Sequence, residues 1–109
     1  MTIWILNSAV LAAGAYGHYR YTPTTIDDLT RALRAGAVSR VGYPETAAVI
    51  ERWTGIRPAL SREPSPLAVG DVAFVVRLRY RVDARWKGAP SSSARPDDDW
   101  ELARLERVS

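Results

Sequence analysis

A tyrosine held between glycine and proline, Gly42-Tyr43-Pro44, stands where a strand-like run gives way to a helical pattern. A helix opening at Pro44 offers unpaired backbone N–H groups and the positive end of its dipole, and the Tyr43 hydroxyl just ahead of it can donate to a phosphate oxygen. The competing reading of the same residue is an amphipathic cap whose ring packs on a sheet. Further on, Arg77, Arg79 and Arg81 fall at alternate positions, so an extended chain puts all three guanidinium groups on one face. Such a stripe persists only if it is solvated or paired with anions. A phenol, a helix N-terminus and arginines together favour a grip on phosphate. His18 is the only imidazole and reads by itself as a surface or loop residue rather than a catalyst. Asp97, Asp98 and Asp99 form the only carboxylate run, and adjacent charges on a loop repel and stay wet, so no metal site is expected. Neither a serine elbow nor a lysine-bearing glycine loop nor a dinucleotide fingerprint occurs.

The elements that must position these residues are legible in outline. "TIWIL" at 2–6 is β-branched and aromatic and predicts a buried opening strand, with Asn7-Ser8 at its C-terminal end. "HYRYT" at 18–22 suits a short edge strand or the approach to a helix. Over 25–35 the pattern predicts a helix: Thr24 or Thr25 can cap it, Asp27 and Asp28 lie in its first turn, Ile26, Leu29 and Leu33 share a face, and Gly36 ends it. "AVSRV" at 37–41 is a short strand. The helix from Pro44 is expected to bury Ala47, Ala48, Ile50 and Trp53 and to close at Thr54-Gly55. A long connection rich in Pro and Gly follows, with a short strand around 59–62. The strongest strand is "DVAFVVRLRYRV" at 71–82, apolar along one face and basic toward the C-terminal end of the other. Residues 83–98 read as a flexible polar loop, and "WELARLERV" suits helix or strand by its period. The expected architecture is α/β (α+β): a single mixed sheet of four to five strands with two main helices packed on it.

Bulk composition agrees with one domain spanning 1–109. The chain is 47% hydrophobic and 25% charged, the balance of a soluble globular protein, and its length suffices to bury one core. The apolar N-terminal run lacks a basic leader and is broken by Asn7-Ser8, so it is expected to be structural, with no membrane association. With no cysteine, disulfides and thiolate chemistry are excluded, and a cytoplasmic setting is expected. Of fifteen basic residues only Lys87 is not arginine, and the net charge is +3. So modest an excess suits a small anionic ligand better than long nucleic acid.

The order of segments resembles the family that includes the type III anti-CRISPR ring nucleases and the YddF-like proteins. Its opening strand ends in Leu-Asn followed by Ser or Ala, matched by Leu6-Asn7-Ser8. Its strand-to-helix junction, Ser-x-Val/Ile-Gly-His with a Thr and a Leu/Ile at three-residue steps, is matched by Ser39, Val41, Gly42, Thr46 and Val49, with Tyr43 at the histidine. Gly55-Ile56 matches the helix end, Arg62 the arginine of an Asn-Arg pair, Gly70 through Arg81 the long strand, and Trp100 through Arg107 the terminal motif. The resemblance covers nearly the whole chain and favours a strand for the C-terminal segment.

It implies a homodimer whose subunits flank a two-fold cavity, binding a cyclic oligoadenylate of type III CRISPR defence and opening it without metal or cofactor. The ligand's 2′-hydroxyl attacks its own adjacent phosphate, so the protein must align that oxygen, stabilise the phosphorane and protonate the leaving 5′-oxygen. Tyr43, Arg81 and Arg62 are the implied catalytic residues, and Asn7, Ser8, Gly42, Thr46, Arg79 and His18 the implied ligand-binding set. Two positions depart from the pattern. The catalytic histidine is Tyr43, and the glutamate three residues after the strand arginine falls on Ala84, with Asp83 one position early. A phenol donates a proton but matches neutral pH less well than an imidazole. The alternatives are a non-catalytic protein that sequesters the messenger and a nucleic-acid-binding regulator using the Arg77, Arg79 and Arg81 face.

Overall fold

A computed structural model describes residues 1–9, 11, 13–79 and 99–109. Its elements are β1 (Ile3–Leu6), β2 (Tyr19–Pro23), α1 (Ile26–Arg34), β3 (Val38–Arg40), α2 (Pro44–Thr54), β4 (Val72–Leu78) and β5 (Trp100–Arg107). The strands form one mixed sheet in the order β2-β5-β4-β1-β3. β1 is parallel to both of its neighbours, β3 and β4, whereas β5 is antiparallel to β4 and to β2. The α+β expectation of one mixed sheet with two helices therefore holds. The ambiguous segments resolve by pairing: Tyr19–Pro23 is an edge strand because the C-terminal segment, itself a strand, aligns beside it from Tyr19↔Arg107 to Pro23↔Ala103. Pro23 is tolerated there because the edge demands no further ladder donor. The expected strand at 59–62 reduces to a parallel bridge between Val41 and Leu60.

Local chemistry sets the helix limits. The Thr25 hydroxyl accepts from the Asp28 N–H at 3.2 Å, capping α1, and Pro44 opens α2 where a missing N–H costs nothing. Gly55 ends α2 at φ 77°, a left-handed conformation glycine adopts without strain. The helix faces differ in detail from the pattern. On α1, Leu29 and Ala32 are buried while Ile26 is exposed. On α2, Val49 takes the place expected of Ala48, and Trp53 packs only partly buried against the core.

Alternation along the strands divides the core in two. Ile5, Val72, Phe74, Val76 and Trp100 point to the side where Leu29, Ala47, Val49 and Ile50 of the helices close over them. Trp4, Leu6, Ala73, Val75 and Leu105 point to the other side, where Leu67 of a connecting segment completes a smaller cluster. Asp71 ties the starts of β1 and β4 together. Its buried carboxylate accepts from the Thr2 N–H at 2.8 Å, the Ala68 N–H at 2.9 Å and the Trp4 indole at 3.4 Å. The backbone bond from Thr2, above the others, holds its pKa below the usual carboxylate range. Arg81 and the loop expected at 83–98 lie outside the described residues.

Candidate functional site

The parallel strands β1 and β3 run out side by side, and their C-terminal ends carry the motif residues. Gly42 donates its N–H to the Asn7 side-chain oxygen at 2.9 Å, bridging 35 positions of sequence. That bond fixes the strand-to-helix junction against the end of β1, and α2 follows at once. Tyr43 is the residue before the first helical turn; it is half exposed, and its side chain makes no capping bond to α2. The N–H groups of that first turn have no carbonyl within the helix to receive them, which makes this end of α2 electropositive.

Beside the junction runs the segment 61–67. Ser61 donates its N–H to the Val41 carbonyl at 2.9 Å, and Arg62 donates Nε–H to the Gly42 carbonyl at 3.2 Å. The Arg62 guanidinium then lies 5.2 Å from the centre of the Tyr43 ring, a cation–π contact that leaves its terminal nitrogens without partners among the described residues. Gly42 has a reason to lack a side chain, since a Cβ there would come within 3.0 Å of Arg62 Cγ.

These groups border an open cavity of about 610 Å³ on the helix-free side of the sheet, within the range of small-molecule sites. Leu6, Leu67, Leu105 and Tyr19 supply apolar wall, while Asn7, Ser8, Gly42, Tyr43, Arg62 and Arg40 gather at the junction. Two arginines pin the segment that borders the cavity. Arg40 lies over the Trp4 ring at 5.3 Å and donates Nε–H to the Pro64 carbonyl at 3.2 Å. Arg107 donates to the Leu67 carbonyl at 2.7 Å and the Tyr16 carbonyl at 2.8 Å. Neither arginine stood out in the sequence, because what marks them is the backbone carbonyl each meets, and those lie 24 and 40 residues away.

The fold thus brings five of the expected residues together, Asn7, Ser8, Gly42, Tyr43 and Arg62. It separates Thr46, His18 and Arg79 from them, while Arg81 lies outside the described residues. Thr46 is buried on the inner side of α2 and does not border the cavity. His18 stands with its Nδ1 2.8 Å from the Ser109 hydroxyl, away from the cavity, and Arg79 is exposed beyond the end of β4. The arginine stripe is also not free as a unit. Arg77 pairs with Glu101 at 3.2 Å and stacks on Tyr21 at 5.5 Å, while the Tyr21 hydroxyl donates to the same carboxylate. Burial and that hydrogen bond push the Tyr21 phenol up to about 12, and the phenol holds Glu101 below the usual carboxylate range. Among the described residues no group of three or more His, Cys, Asp or Glu side chains is placed to hold a metal ion. No helix among them is long and apolar enough to cross a membrane.

A family model described as STIV B116-like matches residues 3–88. Among solved structures, B116 of Sulfolobus turreted icosahedral virus (STIV) superposes with a TM-score of 0.69 at 10% sequence identity, over 98% of this chain and 100% of that one. At that identity the likeness is one of fold. None of the curated proteins matches the sequence.

Proposed function

The chain belongs to the STIV B116-like family, and we propose that it is a metal-independent ring nuclease that binds a cyclic oligoadenylate and opens it. The observation that carries this reading is the pairing of Tyr43 with Arg62 on one cavity wall at the N-terminus of α2. The resemblance of the junction to that of the ring nucleases supports it independently. In the reaction the ligand's 2′-oxygen attacks the adjacent phosphorus and the bond from phosphorus to the 5′-oxygen breaks, leaving a cyclic 2′,3′-phosphate and a free 5′-hydroxyl. Tyr43 donates its phenolic proton to the departing 5′-oxygen and recovers one that the 2′-hydroxyl releases. The terminal nitrogens of Arg62 face the charge that builds on the phosphorane, with the first-turn N–H groups of α2 behind them. The Asn7–Gly42 bond holds this wall in place, so alignment does not have to be bought from ligand binding. A ring of several nucleotides exceeds one such cavity, and the reading therefore takes two copies sharing a ring across a two-fold axis.

A sequestering protein is the nearest alternative, favoured by the phenol standing where the ring nucleases carry histidine. A regulator of long nucleic acid is less favoured, because Arg77 is already neutralised by Glu101. Incubating the protein with labelled cyclic tri-, tetra- and hexa-adenylate in EDTA distinguishes them. Linear product ending in a cyclic phosphate is the expected result, while a retained intact ring would establish sequestration. Tyr43→Phe is expected to slow cleavage by roughly 10²-fold or more, the usual loss for a proton donor; unchanged cleavage would remove Tyr43 from the chemistry.

A further inference from the structure

The three arginines bordering the cavity are engaged in different ways, and the difference points to a second anion contact. Arg107 spends both terminal nitrogens on carbonyls, whereas Arg62 spends neither. Arg40 is intermediate. Its Nε and one terminal nitrogen go to the Pro64 and Ser39 carbonyls at 3.2 and 3.0 Å, and its other terminal nitrogen faces a carboxylate oxygen of Glu63 at 3.4 Å. Glu63 is the one acidic residue among those described as bordering the cavity. We propose that Arg40 is an anion-binding residue of this cavity, and that Glu63 is an internal carboxylate which a ligand phosphate displaces from it.

The two partners are unequal. The Arg40 side chain is 21% exposed, held between Trp4 and two carbonyls, while that of Glu63 is 75% exposed. A fixed, poorly hydrated guanidinium needs an anion and has little freedom left to lose when it binds one. An exposed carboxylate holds such a partner weakly, since it must give up side-chain freedom and water for the contact. A phosphate offers more oxygens at higher charge and forms stronger charge-assisted bonds with arginine. The exchange requires no backbone movement, because the bonds from Ser61 N–H to Val41 and from Arg40 Nε–H to Pro64 hold the segment without the Glu63 side chain. Arg62 borders the same cavity, so a ligand with more than one phosphate can engage both arginines once Glu63 has left. The inference rests on the reading that this cavity takes a phosphate-bearing ligand.

The test is calorimetric titration of the full chain with two kinds of probe, inorganic tripolyphosphate and the 2′-deoxy analogues of cyclic tri-, tetra- and hexa-adenylate, which lack the nucleophile. Glu63→Gln is expected to tighten both by roughly three- to tenfold. Glu51→Gln makes the same charge change on α2, at the pair with Arg57 just past the helix end and away from the cavity, and is expected to change affinity less than twofold. In an Arg40→Gln background the gain from Glu63→Gln should vanish. Should that background fail to fold, Arg40→Lys keeps the charge without the fixed geometry, and the gain should shrink. Equal effects of Glu63→Gln and Glu51→Gln, or a full gain without Arg40, would overturn the proposal. Tightening toward tripolyphosphate with no binding of any ring would sustain this inference and sink the ring-nuclease reading. A bound ring indifferent to Glu63→Gln would do the reverse, and binding of neither probe would end both.

Discussion

The two faces of the sheet are built by different means. On one, α1 and α2 close over Ile5 and Val76 with Leu29 and Ile50, all four fully buried, and the closure is mainly apolar packing. On the other, connecting segments cover a smaller cluster and are tied down by polar contacts, with arginines donating to backbone carbonyls and Asp71 accepting from N–H groups. Helices bury their own backbone bonds and can seal a face completely. Irregular segments carry backbone groups that need outside partners, and they leave gaps where side chains can meet a ligand. The cavity lies on the second face for that reason.

This contrast can be broken at several points. Ile50→Ala should lower the unfolding free energy by about 3–4 kcal/mol, and Leu67→Ala by only about 2, because a connecting segment settles into vacated space more readily than a helix on a sheet. Urea denaturation measures both, and equal losses would mean the faces are equally rigid. Asp71→Asn should cost about 2 kcal/mol by leaving buried N–H donors poorly matched. Because the folded pKa of Asp71 is lowered, its contribution is complete above the unfolded value near ~3.9 and is lost as pH falls through the folded value. Unfolding midpoints between neutral pH and pH ~2 should therefore fall less steeply in the variant.

Gly42→Ala sharpens the comparison on the cavity side. The φ of Gly42 lies outside the left-handed region, so alanine fits the backbone, but its Cβ meets Arg62 Cγ. Stability should change by less than about 1 kcal/mol, while affinity for a cyclic oligoadenylate falls about tenfold as Arg62 leaves the Tyr43 ring. Unchanged affinity would separate Arg62 from the ligand. The smallest effect belongs to Tyr21, whose raised pKa makes its bond to Glu101 a contribution present below pH ~10 and lost as pH rises through about 12. Phenolate absorbance in alkali should show one tyrosine ionising near 12 that disappears in Tyr21→Phe.

Local signals in the sequence determined the helix limits and the strongest strand. Thr25, Gly36, Pro44 and Gly55 act on backbone within a turn of themselves, and the alternation of Val72 to Leu78 is a property of any extended chain. The junction at Gly42-Tyr43 was legible for the same reason. Which face each arginine served was not. Arg77 reads as part of a free basic stripe until β5 sets Glu101 opposite it, and Arg40 reads as one arginine among many until Pro64 and Trp4 surround it. Thr46 and His18 fit a motif or a residue type, but α2 turns the first inward, and the second stands just before β2 with its ring against Ser109, outside the cavity lining. Composition and spacing specify what a side chain can do. Tertiary placement decides which distant groups it meets: strand register sets Glu101 opposite Arg77, and the path of the connecting segment brings Pro64 to Arg40, neither of which depends on neighbours in the chain.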